Sequence, residues 1–287
     1  MRCWAISDLH LGYKANREAL DRMDAYPQDW LILGGDLGET PDQLKYCIES
    51  LANKFAQILW VPGNHELYTT SKDPCQLVGE RRYLHLVELC RTYGVTTPED
   101  PFPVWPGEGP STVLVPAFLL YDYSFCPPAM KPKEAKAWAR ESGVWASDER
   151  FIHPEPYPSI EAWCASRIET TQARLDTEIP KDHQVVFINH YPLRQDLVRL
   201  FKIPRFSIWC GTKATEQWHE TYPISTAVYG HLHMRATDWR GTTRFEEVAL
   251  GYPRHWLKEK SINDYLRLIL PHPPLPDPVP TDPIWHR

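Results

Sequence analysis

Five times along this chain an apolar stretch of strand length runs straight into Asp, His or Asn, and that repetition constrains the fold more than any other feature. Cys3-Trp4-Ala5-Ile6-Ser7 leads into Asp8-Leu9-His10, and Trp30-Leu31-Ile32-Leu33 leads through Gly34-Gly35 into Asp36. Gln57-Ile58-Leu59-Trp60-Val61 passes Pro62 into Gly63-Asn64-His65-Glu66. Later, Gln184-Val185-Val186-Phe187-Ile188 delivers Asn189-His190-Tyr191-Pro192, and Thr226-Ala227-Val228-Tyr229 delivers Gly230-His231-Leu232-His233. Unbroken apolar runs suit strands covered on both faces. Ligands of open α/β sheets gather beyond the carboxyl ends of such strands, so the polar tips are the candidate site.

The segments between the tips give the order strand, helix, strand, helix, strand. A helix is expected from Ala15 to Ala25. A second opens at Thr40-Pro41, with Thr40 as N-cap, Pro41 as first helical residue and Leu44, Ile48 and Leu51 on one face. Helices are also expected over Tyr83 to Tyr93, closed by Gly94, and over Ser159 to Thr177. No low-complexity linker divides the chain, so residues 1–270 read as one domain. Within it, residues 121–158 show no sustained periodicity and place Tyr123, Trp138, Trp145 and Tyr157 among prolines and charges. They read either as a lid packed by its own aromatics or as a satellite core. A last strand is expected over Ile262 to Leu270. Seven prolines among residues 271–287 make the tail extended or disordered, since proline cannot donate to a sheet ladder.

A formal net charge of -6 without lysine or arginine runs argues against a long nucleic-acid or anionic-membrane surface. The expected partner is a small molecule, and the oligomeric state is left open. With no signal-peptide pattern, no membrane-spanning apolar stretch and seven scattered cysteines, none in a Cys-x-x-Cys pair, the chain is expected to be cytoplasmic with reduced thiols. A metal site must then use oxygen and imidazole rather than thiolate.

Asp8 and His10 are two residues apart and can reach one ion, and His231 and His233 repeat that spacing. Carboxylate, amide oxygen and imidazole together suit a borderline divalent cation, and Mg²⁺ alone rarely recruits so many histidines. The seven candidate ligands exceed the needs of one ion but divide between two if Asp36 bridges. Two cations roughly 3.5–4 Å apart can clamp both sides of an in-line phosphoryl displacement.

The blocks DLH, GGDLGE, GNHE, NHYP and GHLH, spanning Asp8 to His233, resemble the signature of the calcineurin-like metallophosphoesterase superfamily. The resemblance implies an α/β fold of two mixed β-sheets packed face to face and flanked by helices. It implies one ion held by Asp8, His10, Asp36 and His233 and a second held by Asp36, Asn64, His190 and His231. Mn²⁺ is the expected metal, with Fe, Zn or a mixed pair as alternatives. His65 matches the family's general acid. The residue that orients it is often an aspartate three positions after the bridging one; here it is Glu39, one methylene longer. The arginine that follows in the phosphoprotein phosphatase branch is absent, since the block continues Thr40-Pro41, and this argues against a protein phosphatase.

The implied activity is hydrolysis of a small phosphate ester by direct attack of metal-bridging hydroxide, with His65 protonating the leaving oxygen. A monoester is expected over a diester, with Arg194, Arg205 and Arg254 as candidate binders of the extra charge. The alternatives are a phosphodiesterase on cyclic or short nucleotides and, from another class, a non-catalytic metal-binding scaffold such as the retromer subunit that keeps this fold. That every ligand position and His65 are filled argues against the scaffold.

Overall fold

The structure, a computed structural model, describes residues 1–71, 73–257 and 259–286. The first sheet holds β1 (Cys3–Ile6), β2 (Tyr26–Leu33), β3 (Phe55–Trp60) and β9 (Arg267–Leu270) in the order β3-β2-β1-β9. β1, β2 and β3 run parallel and β9 antiparallel to β1. The second sheet holds β4 (Thr112–Pro116), β5 (Gln184–Ile188), β6 (Ile224–Tyr229), β7 (Ala236–Arg240), β8 (Thr243–Glu247) and β10 (Ile284–Trp285), in the order β10-β7-β8-β6-β5-β4. β4, β5, β6 and β8 are parallel, and at one edge β7 runs antiparallel to β8 and β10 antiparallel to β7.

The side-chain alternation of the strands builds the layers. Ala5, Ile32 and Leu59 from the first sheet meet Leu114, Val186, Ile188 and Val228 from the second in one dry cluster between the sheets. The residues one step along point outward. Ile6, Leu31, Leu33 and Ile58 pack under α1 (Lys14–Asp21), α2 (Pro41–Leu51) and α3 (Gly79–Thr92), and Val113, Val115, Val185 and Phe187 pack against Leu175 of α6 (Ile160–Glu178) and Trp218 of α7 (Trp218–Thr221). Period-two strands buried on both faces therefore give helix, sheet, sheet, helix. Thr40 caps α2 by accepting from the Gln43 N–H at 3.3 Å, and Ser159 caps α6.

Residues 121–158 are folded into the body of the protein. They contain α4 (Pro132–Glu141) and α5 (Asp148–Phe151), and Tyr121, Tyr123, Cys126, Ala135 and Ala139 belong to the main core. α4 escapes a periodicity reading because its buried stripe is two alanines four apart. The hairpin of β7 and β8 is equally hidden in sequence, since its inward positions carry buried charge. Arg199 forks onto Asp238 at 2.6 and 2.8 Å, while Arg244 and Arg267 lie 3.6 and 3.4 Å from Glu246. Within the proline-rich tail, Ile284 and Trp285, free of proline, pair with Thr237 and Ala236 at the sheet edge. No helix among the described residues is long and apolar enough to cross a membrane.

Candidate metal centre

All five polar tips converge at the carboxyl ends of β1, β2, β3, β5 and β6. To aim side chains at one point the backbone turns left-handed at Asp8 (φ 55°), His10 (42°), Asp36 (55°), His231 (69°) and His233 (53°). Such conformations cost energy in non-glycine residues and collect at functional sites. The tips also approach too closely for side chains at two glycines. A Cβ on Gly63 would lie 2.1 Å from Asp36 Oδ1, and one on Gly230 would lie 2.3 Å from Asp8 Oδ2.

Three groups of ligand-type atoms come within 4.8 Å of one another: Asp8, His10 and His233; His10, Asp36 and His65; and Asp36, His190 and His231. His10 Nε2 lies 3.1 Å from His233 Nε2, which is 3.0 Å from Asp8 Oδ1. Asn64 Oδ1 lies 3.2 Å from both His190 Nε2 and His231 Nδ1. The seven candidate ligands thus share one centre. Asp8 and Asp36 are buried, and among the described residues their ion-pair partners are imidazoles, with no lysine or arginine.

Buried carboxylates need positive charge beside them, and the centre draws it in. Burial alone would lower the His190 imidazole, but the Asp36 charge and hydrogen bond override it and push His190 up to about 10. A divalent cation fits that demand. The His190 Nδ1–H donates to the Gly34 carbonyl at 2.9 Å, which fixes the ring and leaves Nε2 to face the centre, the usual support of a metal-binding histidine. His233 Nδ1 lies 3.0 Å from His255 Nδ1.

His65 stands beside this cluster. Its Nδ1 contacts Glu39 Oε1 at 3.1 Å, and its Nε2 faces Asp36 Oδ2 at 3.9 Å. Burial would lower this imidazole; the Asp36 charge and the Glu39 hydrogen bond outweigh it and push it up to about 9. The hydrogen bond to His65 also holds Glu39 below the usual carboxylate range. Glu39 therefore reaches the ring despite its extra methylene.

Two residues outside the candidate ligand set support the centre. Glu66 accepts from the N–H groups of Asp36 (2.9 Å), Leu37 (2.6 Å) and Gly63 (2.8 Å), tying together the loops that bear Asp36 and Asn64. Arg82, wholly buried on α3, donates to the Glu66 carbonyl at 2.6 Å, the Glu39 carbonyl at 2.8 Å and the Asp73 carboxylate at 2.5 Å. Glu66 was within reach of reading, since it ends the GNHE block; Arg82 sits in a helix with nothing to mark it.

The centre opens into a cleft of about 900 Å³ lined by Asp36, Asn64, His65, His231 and His233 at its floor. Trp145, Phe201, Ile203 and Trp285, all exposed large hydrophobics, also line it. Of the three candidate arginines, Arg254 lines this cleft, together with Lys202. Among the described residues neither pairs with a carboxylate. Arg194 instead turns to Asp196 at 2.9 Å and to the Glu216 carbonyl, and Arg205 pairs with Glu141 at 3.0 Å and covers Trp138. Neither lines the cleft.

The sequence profile of calcineurin-like phosphoesterases matches residues 1–235. The chain is 47% identical over 273 residues to the [acyl-carrier-protein] phosphodiesterase PptH of Mycobacterium tuberculosis (strain ATCC 25618 / H37Rv), covering 94% of this chain and 83% of that protein. It superposes on the crystal structure of the phosphopantetheinyl hydrolase PptH from Mycobacterium tuberculosis with a TM-score of 0.90 and 45% identity, over 95% of this chain and 96% of the other. A putative 5'-nucleotidase from Staphylococcus aureus is far more distant, with a TM-score of 0.44 and 12% identity over 85% of this chain and 48% of the other. Fold, site and near-full-length relative agree: the chain belongs to the calcineurin-like phosphoesterase family.

Proposed function

We propose that this protein is a two-metal phosphodiesterase that releases a phosphopantetheinyl group from a carrier protein. The observation that carries this reading is the 47% identity, over 94% of the chain, to a relative named for that chemistry. The cleft supports it, because a small monoester needs no apolar rim, whereas a long pantetheinyl arm and a protein surface do. The monoester reading leaned on three arginines, of which only Arg254 lines the cleft. A diester carries one charge fewer and needs fewer cations.

In this reading Asp8, His10, Asp36 and His233 hold one divalent ion, and Asp36, Asn64, His190 and His231 hold the other, with Mn²⁺ as the first metal to test. When bound, the pair polarises phosphoryl oxygens and lowers the pKa of water to yield the attacking nucleophile. The protein supplies the rest. Glu39 accepts from the His65 Nδ1–H, so the second proton sits on Nε2, the nitrogen that faces the centre. Both esters of a phosphopantetheinyl diester have aliphatic oxygens, which are poor leaving groups, and in this reading His65 protonates the one that departs. Arg254 and Lys202 neutralise the phosphate in the cleft, and Trp145 and Trp285 wall the arm away from solvent.

The test is a comparison of kcat/KM, at fixed Mn²⁺, for a phosphopantetheinylated carrier protein, a bis-aryl diester, an aryl monoester and cyclic nucleotides, with loss of the arm followed by mass spectrometry. The carrier protein is expected to lead. An aryl monoester or cyclic nucleotide turned over tenfold better than the carrier protein overturns the substrate and leaves the metal reading standing.

A further inference from the structure

One buried carboxylate near the centre belongs to none of the five tips. Asp148, the first residue of α5, is 3% exposed and lines the cleft beside Asn64. Its Oδ1 accepts from Asn64 Nδ2 at 3.0 Å and from the Tyr68 hydroxyl at 2.6 Å, and that hydroxyl lies 3.2 Å from Asn64 Nδ2. Because the Tyr68 proton goes to Asp148, the Tyr68 oxygen is free to accept the other amide hydrogen. Both Nδ2 hydrogens are then satisfied on the side away from the histidines. Asn64 Oδ1 is left pointing between His190 Nε2 and His231 Nδ1, at 3.2 Å from each.

We infer that Asp148, with Tyr68, is a positioning residue that fixes the Asn64 amide so that its oxygen, not its nitrogen, meets the second metal ion. A flipped amide would turn its oxygen onto the Asp148 carboxylate oxygen that now accepts from Nδ2, and would set a donor where a cation needs an acceptor. Asp148 thus selects the orientation. The inserted segment 121–158, which supplies no metal ligand, thereby reaches the centre through one hydrogen bond.

The inference rests on the two-ion reading above, and Mn²⁺ titration by calorimetry of the full chain separates the two. Wild type is expected to bind two ions per chain. Asp148→Ala is expected to keep the first and bind the second about 10- to 100-fold more weakly, the usual cost of losing a group that supports a ligand. Asp148→Asn, whose amide oxygen can still accept from Asn64 Nδ2 and Tyr68, is expected to stay within about threefold of wild type, since a neutral acceptor preserves the orientation. In an Asn64→Ala background there is no amide to orient, so adding Asp148→Ala is expected to weaken Mn²⁺ binding no further. This cycle holds even if Asp148→Ala lowers the melting temperature. Unchanged second-ion affinity in Asp148→Ala, equal losses in Asp148→Ala and Asp148→Asn, or the same loss again on top of Asn64→Ala would each overturn the inference. A wild-type chain that binds fewer than two ions overturns the two-ion reading and the inference with it.

Discussion

Arg82→Met is expected to destabilise the protein by about 3–5 kcal/mol, the usual cost of removing one partner of a buried ion pair. The geometry supports a value in that range. Both side chains of the Arg82–Asp73 pair are fully buried at 2.5 Å, so the substitution strands the Asp73 carboxylate without water. It also strips a charged donor from the carbonyls of Glu66 and Glu39. An unfolding entropy of about 2.1 cal/mol/K per residue, over 287 residues, amounts to about 0.6 kcal/mol/K, so the melting temperature should fall by about 5–8 °C. Differential scanning calorimetry of the metal-free chain measures this without interference from bound ions. Adding Asp73→Asn to Arg82→Met removes the stranded charge and should recover more than half of the loss, as expected when both members of a buried pair are neutralised. A single variant that melts within 1 °C of wild type, or a double variant no more stable than the single one, would refute the argument.

Asp36→Asn should lower bound metal to one ion or none per chain by elemental analysis, because a bridging carboxylate neutralises two cations at once; two tightly bound ions would remove the bridge. His65→Ala should spare metal binding and slow an alkyl diester by about 10²- to 10⁴-fold, the usual worth of a general acid, while a nitrophenyl ester loses far less. Equal losses on both esters would point to phosphate positioning instead. Trp285→Ala should raise KM for the phosphopantetheinylated carrier about 5- to 30-fold, the equivalent of about 1–2 kcal/mol of lost apolar contact, and leave a small aryl diester untouched. A change of equal size on the aryl diester would mean that Trp285 shapes the centre rather than the cleft wall.

The tips were legible because an apolar run that stops at a carboxylate or imidazole is a local signal, and five local signals superpose at one end of two sheets. What escaped was set by packing across distance. Arg194 lies four residues from His190 yet turns away to Asp196 and Glu216, so nearness in sequence to a tip did not place it in the cleft. The β7–β8 hairpin stayed hidden because Asp238, Arg244 and Glu246 are polar letters at buried positions, made tolerable only by partners such as Arg199 and Arg267. Trp285 lay in a proline-rich tail, where composition alone says extended chain, and its pairing with Ala236 depends on an open sheet edge that only the fold reveals. Asp148 has no motif at all; its role follows from two hydrogen bonds to residues about eighty positions earlier.

The ligands also carry a consequence for how the chain reaches its native state. Asp8, His10, Asp36 and Asn64 come from one sheet and His190, His231 and His233 from the other, and Asn64 and His190 stand 126 positions apart. In the two-ion reading neither ion has a full ligand set until the two sheets have met. The entropic cost of closing so long a loop is then met before any metal contact rewards it, and contacts of this range slow folding. Cations would act late, locking a collapsed chain rather than nucleating one, and their supply would set how long the finished fold persists more than how fast it forms.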